Sequence, residues 1–286
     1  MPFVLALGYA TLLILLLGVA GQIYKKFKSR RHLDITDQWV VVTGCDSGIG
    51  QGAVRALAKD GAKVVACCYT KTGANAALAA GATWAPHFDL RDDDVLRDVA
   101  EQILAQSGGA LWCVVHAAGT VLPGFIDYQP IKFYRDVMAV NFFAPVLLTQ
   151  KLLTALRRCR GRVIVVSSVD GIVSLPGNAP YDASKFAIEA YADALRTELS
   201  FCGVGVSVIN PATMRTPMAD AFFPGHRKTW TAMAAEDPEG DWQALWPESW
   251  LNQYVEKNTR QLRSIAEDPA AAVNDIVHAA TAAHPK

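Results

Sequence analysis

Residues 39–50 read Trp39-Val40-Val41-Val42-Thr43-Gly44-Cys45-Asp46-Ser47-Gly48-Ile49-Gly50, a β-branched apolar run followed at once by a glycine-rich turn. A continuous run of this kind suits a strand buried on both faces, as in a parallel sheet. Gly44, Gly48 and Gly50 free the backbone for a tight turn. Such a turn lets the N–H groups of Ser47, Gly48 and Ile49 approach a pyrophosphate at the start of the following helix. The spacing is GxxxGxG, not GxGxxG. A plain strand-to-helix turn is the competing reading, and the position on the first strand–helix junction favours phosphate.

Outward from this junction, apolar runs alternate with helical patterns. Strands are expected at Trp39–Thr43, Lys63–Cys67, Thr83–Phe88, Leu111–His116, Arg162–Ser167 and Gly205–Ile209. Helices are expected at Ile49–Lys59, Asp92–Gln106, Phe133–Arg157 and Ala179–Phe201. The alternation implies an α/β fold, a doubly wound parallel sheet of Rossmann-like form in one domain spanning 37–286. Ala219–Glu267 carries four Trp residues and no strand pattern; a lid over a binding site is favoured over a surface helical pair.

The 286 residues are 51% hydrophobic with a formal net charge of zero. That excludes a disordered chain and gives no basic excess for nucleic acid. Six cysteines without CxxC spacing read as reduced, mostly buried thiols. Six histidines lack HxxxH or HExxH spacing, so no metal site is expected. Pro2–Tyr24 holds no charge and is long enough, as a helix of about 30 Å, to cross a hydrocarbon core. The basic stretch Lys25–His32 follows it. A cleavable signal peptide, with Gly18-Val19-Ala20 as its cleavage site, would carry its charge first; a signal anchor suits the order better. Residues 1–32 then form a single-pass anchor and linker, with the following domain cytosolic by the positive-inside rule.

Tyr181 and Lys185 stand four residues apart in a helical pattern, on one face. An ammonium beside a phenol favours the phenolate and lowers its pKa, the requirement for exchanging a proton with an alcohol. Ser168 closes the Arg162–Ser167 strand, where open α/β sheets bind ligands.

The string TGCDSGIG resembles the loop of the classical short-chain dehydrogenases/reductases, and in particular the retinol dehydrogenase and 17β-hydroxysteroid dehydrogenase branch. The resemblance runs from about Gln38 to His284 and implies specific roles. Tyr181, Lys185, Ser168 and Asn141 match the catalytic set. Ser168 would bond the substrate oxygen, and Asn141 would sit in a bent helix where water relays protons from Lys185. Gly44, Ser47, Gly48, Ile49, Gly50, Asp89, Ala117, Gly119, Thr213 and Thr216, with Tyr181 and Lys185, match cofactor contacts: Asp89 toward the adenine, Thr216 toward the carboxamide.

Departures accompany the match. His116-Ala117-Ala118-Gly119 replaces NNAG, and Ala212 replaces a glycine. The sequence stops at His284-Pro285-Lys286, where the resemblance implies a further strand bordering the substrate. Cys68 and Tyr69 stand where Asp or Arg usually selects the cofactor. Asp46 would repel a 2′-phosphate and Lys71 would attract it, so NAD is favoured over NADP. The branch and the anchor together imply a lipophilic alcohol or its carbonyl, a retinoid or hydroxysteroid, met at the endoplasmic reticulum membrane. The alternatives are a 3-hydroxybutyrate-type dehydrogenase, with Arg215 or Arg227 binding the carboxylate, and a non-catalytic tethered binding protein. A homodimer through the two long helices is implied by the resemblance.

Overall fold

The computed structural model describes residues 32–285, so the expected anchor and basic linker of residues 1–32 lie, but for His32, outside the described residues. Five parallel strands make one sheet: β1 (Trp39–Thr43), β2 (Lys63–Cys67), β3 (Cys113–His116), β4 (Arg162–Val166) and β5 (Gly205–Ile209), in the order β2-β1-β3-β4-β5. Alternate residues serve opposite faces. Val41, Val65, Val114 and Val163 pack into one core, whereas Val40, Val42, Val64, Val115 and Ile164 pack into the other. A strand with both faces buried has no polar positions to spare, which explains the unbroken valine runs.

The first face is covered by α3 (Asp93–Gln106), α5 (Ala144–Cys159) and α6 (Ala179–Leu199); the second by α1 (Gly48–Lys59), α2 (Lys71–Ala79) and α10 (Ala270–Thr281). The chain leaves β1 toward β2 on one side and later returns to place β3 on the other. The crevice above the C-terminal ends of β1 and β3 is thus the switch point where ligands bind in such sheets.

Two expectations need correction. Thr83–Phe88 is not a strand of the sheet: it touches β2 and the residue after it only through isolated bridges, Val65–Trp84 and Cys68–His87. Pro86 is the cause. Thr83 N–H donates to Val64 O and Phe88 N–H to Cys68 O, but Pro86 has no N–H to supply the bond between them. The single helix expected at Phe133–Arg157 is instead α4 (Ile131–Met138), a π turn (Ala139–Phe143) and α5. By length and mean hydropathy (1.4) the Ile131–Cys159 run could cross a bilayer, but Leu148, Leu152 and Leu156 account for its apolarity by packing on the sheet.

Ala219–Glu267 is helical: α7 (Pro217–Glu236), α8 (Trp242–Leu245) and α9 (Glu248–Ile265). Its tryptophans form an aromatic cluster with the segment after β3. Phe125 stacks on Trp246 at 4.4 Å, Trp250 stacks on Tyr254 at 5.0 Å, and Trp246 Nε1 donates to Asp127. At the opposite ends of the strands, Leu33 N–H donates to Thr281 O, next to the Ala280 and Ala282 carbonyls that receive Trp112 and Arg162. The described chain therefore begins at the N-terminal ends of the strands, away from the crevice.

Candidate active site

The turn after β1 admits only glycine at its tight points. Gly44 has φ +72°, and a Cβ there would lie 2.5 Å from Ala118 Cα; one on Gly50 would lie 2.2 Å from Gly44 O. Ser47 caps α1 in extended conformation with its hydroxyl uninvolved in the cap, leaving that hydroxyl and the first-turn N–H groups for a ligand. These residues open on a cavity of about 760 Å³, within the range that holds a cofactor. Ile49, Asp89, Ala117, Gly119 and Thr216 also line it; Thr213 does not, and its carbonyl instead accepts Glu267 N–H. A groove of this size, walled by a glycine turn and a helix N-terminus, fits a dinucleotide.

At one end of the groove Asp46 organises the residues after β2. Its carboxylate accepts from Tyr69 N–H (2.7 Å), Thr70 N–H (2.8 Å) and Thr70 Oγ1 (2.6 Å). Sequence spacing could not reveal this, since the partners are over twenty residues apart. Asp89 is ion-paired with Arg91 at 2.6 Å, which holds its carboxyl below the usual range, and Asp92 caps α3. His116, standing in for the family asparagine, bonds Thr149 Oγ1 at 2.8 Å; burial pushes its pKa down to about 4.

The other end meets Ser168, Tyr181, Lys185 and Asn141. A Cβ added to Gly119, which lines the groove, would lie 3.7 Å from Asn141 Oδ1 and 3.9 Å from Lys185 Nζ, so those two side chains stand just behind the groove wall at Gly119. Lys185 is 4% exposed; its Nζ donates to Val166 O (2.9 Å) and lies 5.3 Å from the Tyr181 ring centroid. Burial lowers its pKa to about 8, while the Glu189 and Asp170 carboxylates pull it back up. Burial also raises the Tyr181 phenol well above its ordinary value, an effect the nearby Ser168 hydroxyl opposes. The Asp170 and Asp182 carboxylates add to that rise, so the phenol does not show the lowering that its spacing from Lys185 suggested. Ser168 Oγ accepts Asp170 N–H (3.1 Å), leaving its own proton free to donate. Asn141 sits in the π turn and bonds Thr120 and Ser184.

Of helices α7 to α9, only α7 reaches the groove wall among the described residues, through Met218 and Lys228. His226 of α7 is buried, with Nδ1 3.1 Å from Tyr128 Oη. Neither arginine weighed for a small acid lines the groove: Arg227 bonds Asn252, and Arg215 lies 3.9 Å from Asp268.

Comparison with known proteins agrees with this architecture. Residues 38–226 match the family model for short chain dehydrogenase. Dehydrogenase/reductase SDR family member 9 of Bos taurus is 31% identical, over 96% of this chain and 86% of the relative. Retinol dehydrogenase 7 of Mus musculus is 30% identical over 91% and 82%. 17-beta-hydroxysteroid dehydrogenase type 6 of Mus musculus is 29% identical over 92% and 82%. Among solved structures, a Beutenbergia cavernae protein assigned as an NAD(P) dependent gluconate 5-dehydrogenase, with NADP at low occupancy, superposes with a TM-score of 0.69. It is 25% identical and covers 87% of this chain and 92% of its own. The chain is a member of the short chain dehydrogenase family of oxidoreductases.

Proposed function

We propose that the chain is a membrane-anchored, nicotinamide-dependent oxidoreductase acting on a lipophilic alcohol or its carbonyl, of the retinoid or hydroxysteroid class. The observation that carries the reading is the grouping of Ser168 and Lys185 around Tyr181, with Lys185 close behind Gly119 of a dinucleotide-sized groove. The names of the retinol and hydroxysteroid dehydrogenase relatives support the substrate class. The charge-free run Pro2–Tyr24 supports a single-pass anchor in the endoplasmic reticulum membrane, with residues 37–286 as the cytosolic catalytic domain. Exposed Phe143 and Phe186, at the start of α5 and on α6, support a homodimer contact there.

The residues divide the work as follows. Backbone N–H groups of Ser47, Gly48 and Ile49 hold the pyrophosphate, and Thr216 and Gly119 border the nicotinamide end. Asp46 places a carboxylate where a 2′-phosphate would be repelled, which favours NAD over NADP. Bound nicotinamide supplies the hydride-level redox chemistry that no side chain offers. Ser168 donates its free O–H to the substrate oxygen. Tyr181, kept protonated by burial, delivers a proton to a carbonyl oxygen in reduction and must first lose it to accept one in oxidation. Lys185, cationic below about pH 8, steadies the phenolate as it forms. Asn141 holds the π turn open beside Lys185.

The test uses the full-length protein in detergent micelles with NAD and NADP and a panel of retinoid and hydroxysteroid alcohols. Turnover is expected with NAD, and Tyr181→Phe is expected to lower it by about 10²–10⁴-fold, the usual worth of a positioned acid–base group. Absence of turnover with every lipophilic alcohol, or an undiminished Tyr181→Phe variant, overturns the reading.

A further inference from the structure

Ile172, Val173 and Leu175 are 64%, 61% and 52% exposed, an apolar rim on the connection between Ser168 and Tyr181. Both ends of that connection are site residues, which ties the rim to the reaction site along the chain. What holds it is a buried polar chain. Asp182 Oδ2 accepts Leu175 N–H at 2.7 Å, and Asp182 Oδ1 accepts Asn178 Nδ2 at 2.9 Å. The same amide nitrogen donates to Asp170 Oδ2 at 3.0 Å, and Asp170 N–H donates to Ser168 Oγ at 3.1 Å. Asp182 and Asn178 are 3% and 1% exposed. The far side of the segment is pinned as well: Gly124 N–H donates to Gly177 O, and His226 of α7 packs against Gly177.

A carboxylate in the first turn of α6 is favoured by the helix dipole. Burying it with no cation among its bonding partners still costs more than an apolar residue would. The two bonds it receives join the rim to the residue beside Tyr181. The geometry points to Asp182 as a positioning residue that fixes the rim Ile172–Leu175, so that the apolar body of the substrate is held while Ser168 and Tyr181 act on its oxygen. This rests on the reading of a lipophilic substrate. Asp182 itself does not line the groove.

Asp182→Ala is expected to raise the KM for a lipophilic alcohol about tenfold, the loss of one good hydrogen bond. The kcat and the KM for NAD stay within about twofold of wild type on this account. Asp182→Asn keeps an acceptor oxygen for Leu175 N–H and recovers most of the affinity. Leu175→Pro deletes the donated N–H with Asp182 left in place and reproduces the rise, which keeps the test open if the alanine variant does not fold. Hydrogen exchange of the Leu175 amide reads the clamp without substrate: protection is lost in Asp182→Ala and kept in Asp182→Asn. Unchanged Leu175 exchange, or a fall in kcat matching the rise in KM, overturns the inference. If wild type turns over no lipophilic alcohol, the functional reading fails, and the exchange result still decides whether Asp182 holds the rim.

Discussion

Replacing Asn141 by alanine tests whether this residue is a staple or only a station on a proton path. Asn141 is 2% exposed and its bonding is taken up within the protein: Nδ2 donates to Thr120 O at 3.0 Å and Ser184 Oγ at 2.9 Å, and Oδ1 accepts Thr120 N–H at 2.8 Å. It thereby ties the segment after β3, which ends the groove, to α6, which carries Tyr181 and Lys185. Asn141→Ala leaves the Thr120 N–H and C=O without these partners. Each orphaned buried group costs about 1–3 kcal/mol. Thr120 is only half-buried, so water recovers part of this and a net loss of about 2–4 kcal/mol follows. A domain of this size loses about 2–4 °C per kcal/mol, which gives a Tm lower by roughly 4–16 °C. Circular dichroism melts measure it, with a rise in the KM for NAD expected alongside, because Gly119 and Thr120 line the groove. A Tm within about 2 °C of wild type, together with a large fall in kcat, would refute the staple and leave the residue a purely catalytic part.

Two further outcomes concern buried titratable groups. Lys185→Met is expected to abolish turnover without lowering Tm at pH 7, since the ammonium is held in the fold at a desolvation cost. Its pKa is lowered from 10.5 to about 8, so the penalty fades as pH rises through that window and any Tm advantage of the variant should narrow there. A Tm advantage that widens instead would contradict this. His116 is buried neutral, its pKa pushed from 6.5 to about 4. Between those values the unfolded chain takes up the proton first, so stability is lost as pH falls from 6.5 to 4, by about 1.4 kcal/mol per unit at most. His116→Gln keeps a donor toward Thr149 and should flatten the Tm–pH profile in that window; equal slopes would show that His116 is not responsible.

The strand–turn–helix of residues 39–59 was legible because its causes are local. An unbroken valine run needs burial on both sides, and within the turn Gly44 is demanded by its positive φ and Gly50 by the carbonyl of Gly44. The Tyr181–Lys185 pair was legible for the same reason: a spacing of four within a helix fixes the shared face before anything packs on it. Thr83–Phe88 misled because its apolar pattern is strand-like while a single proline breaks the ladder. The π turn at Ala139–Phe143 left no mark in the helical periodicity; only the resemblance implied a bend at Asn141, and its extra residue shows in how Asn141 reaches Thr120 and Ser184. The charge states follow the same division. Spacing placed an ammonium near a phenol, but desolvation, a property of everything folded around them, raises the Tyr181 phenol. The bonds that Asp46 and Asp182 receive left no mark in the sequence, because they come in part from backbone N–H groups that any residue carries. Periodicity and turn chemistry depend on neighbours along the chain. Burial, and the choice of bonding partner, depend on which distant segments the sheet brings together.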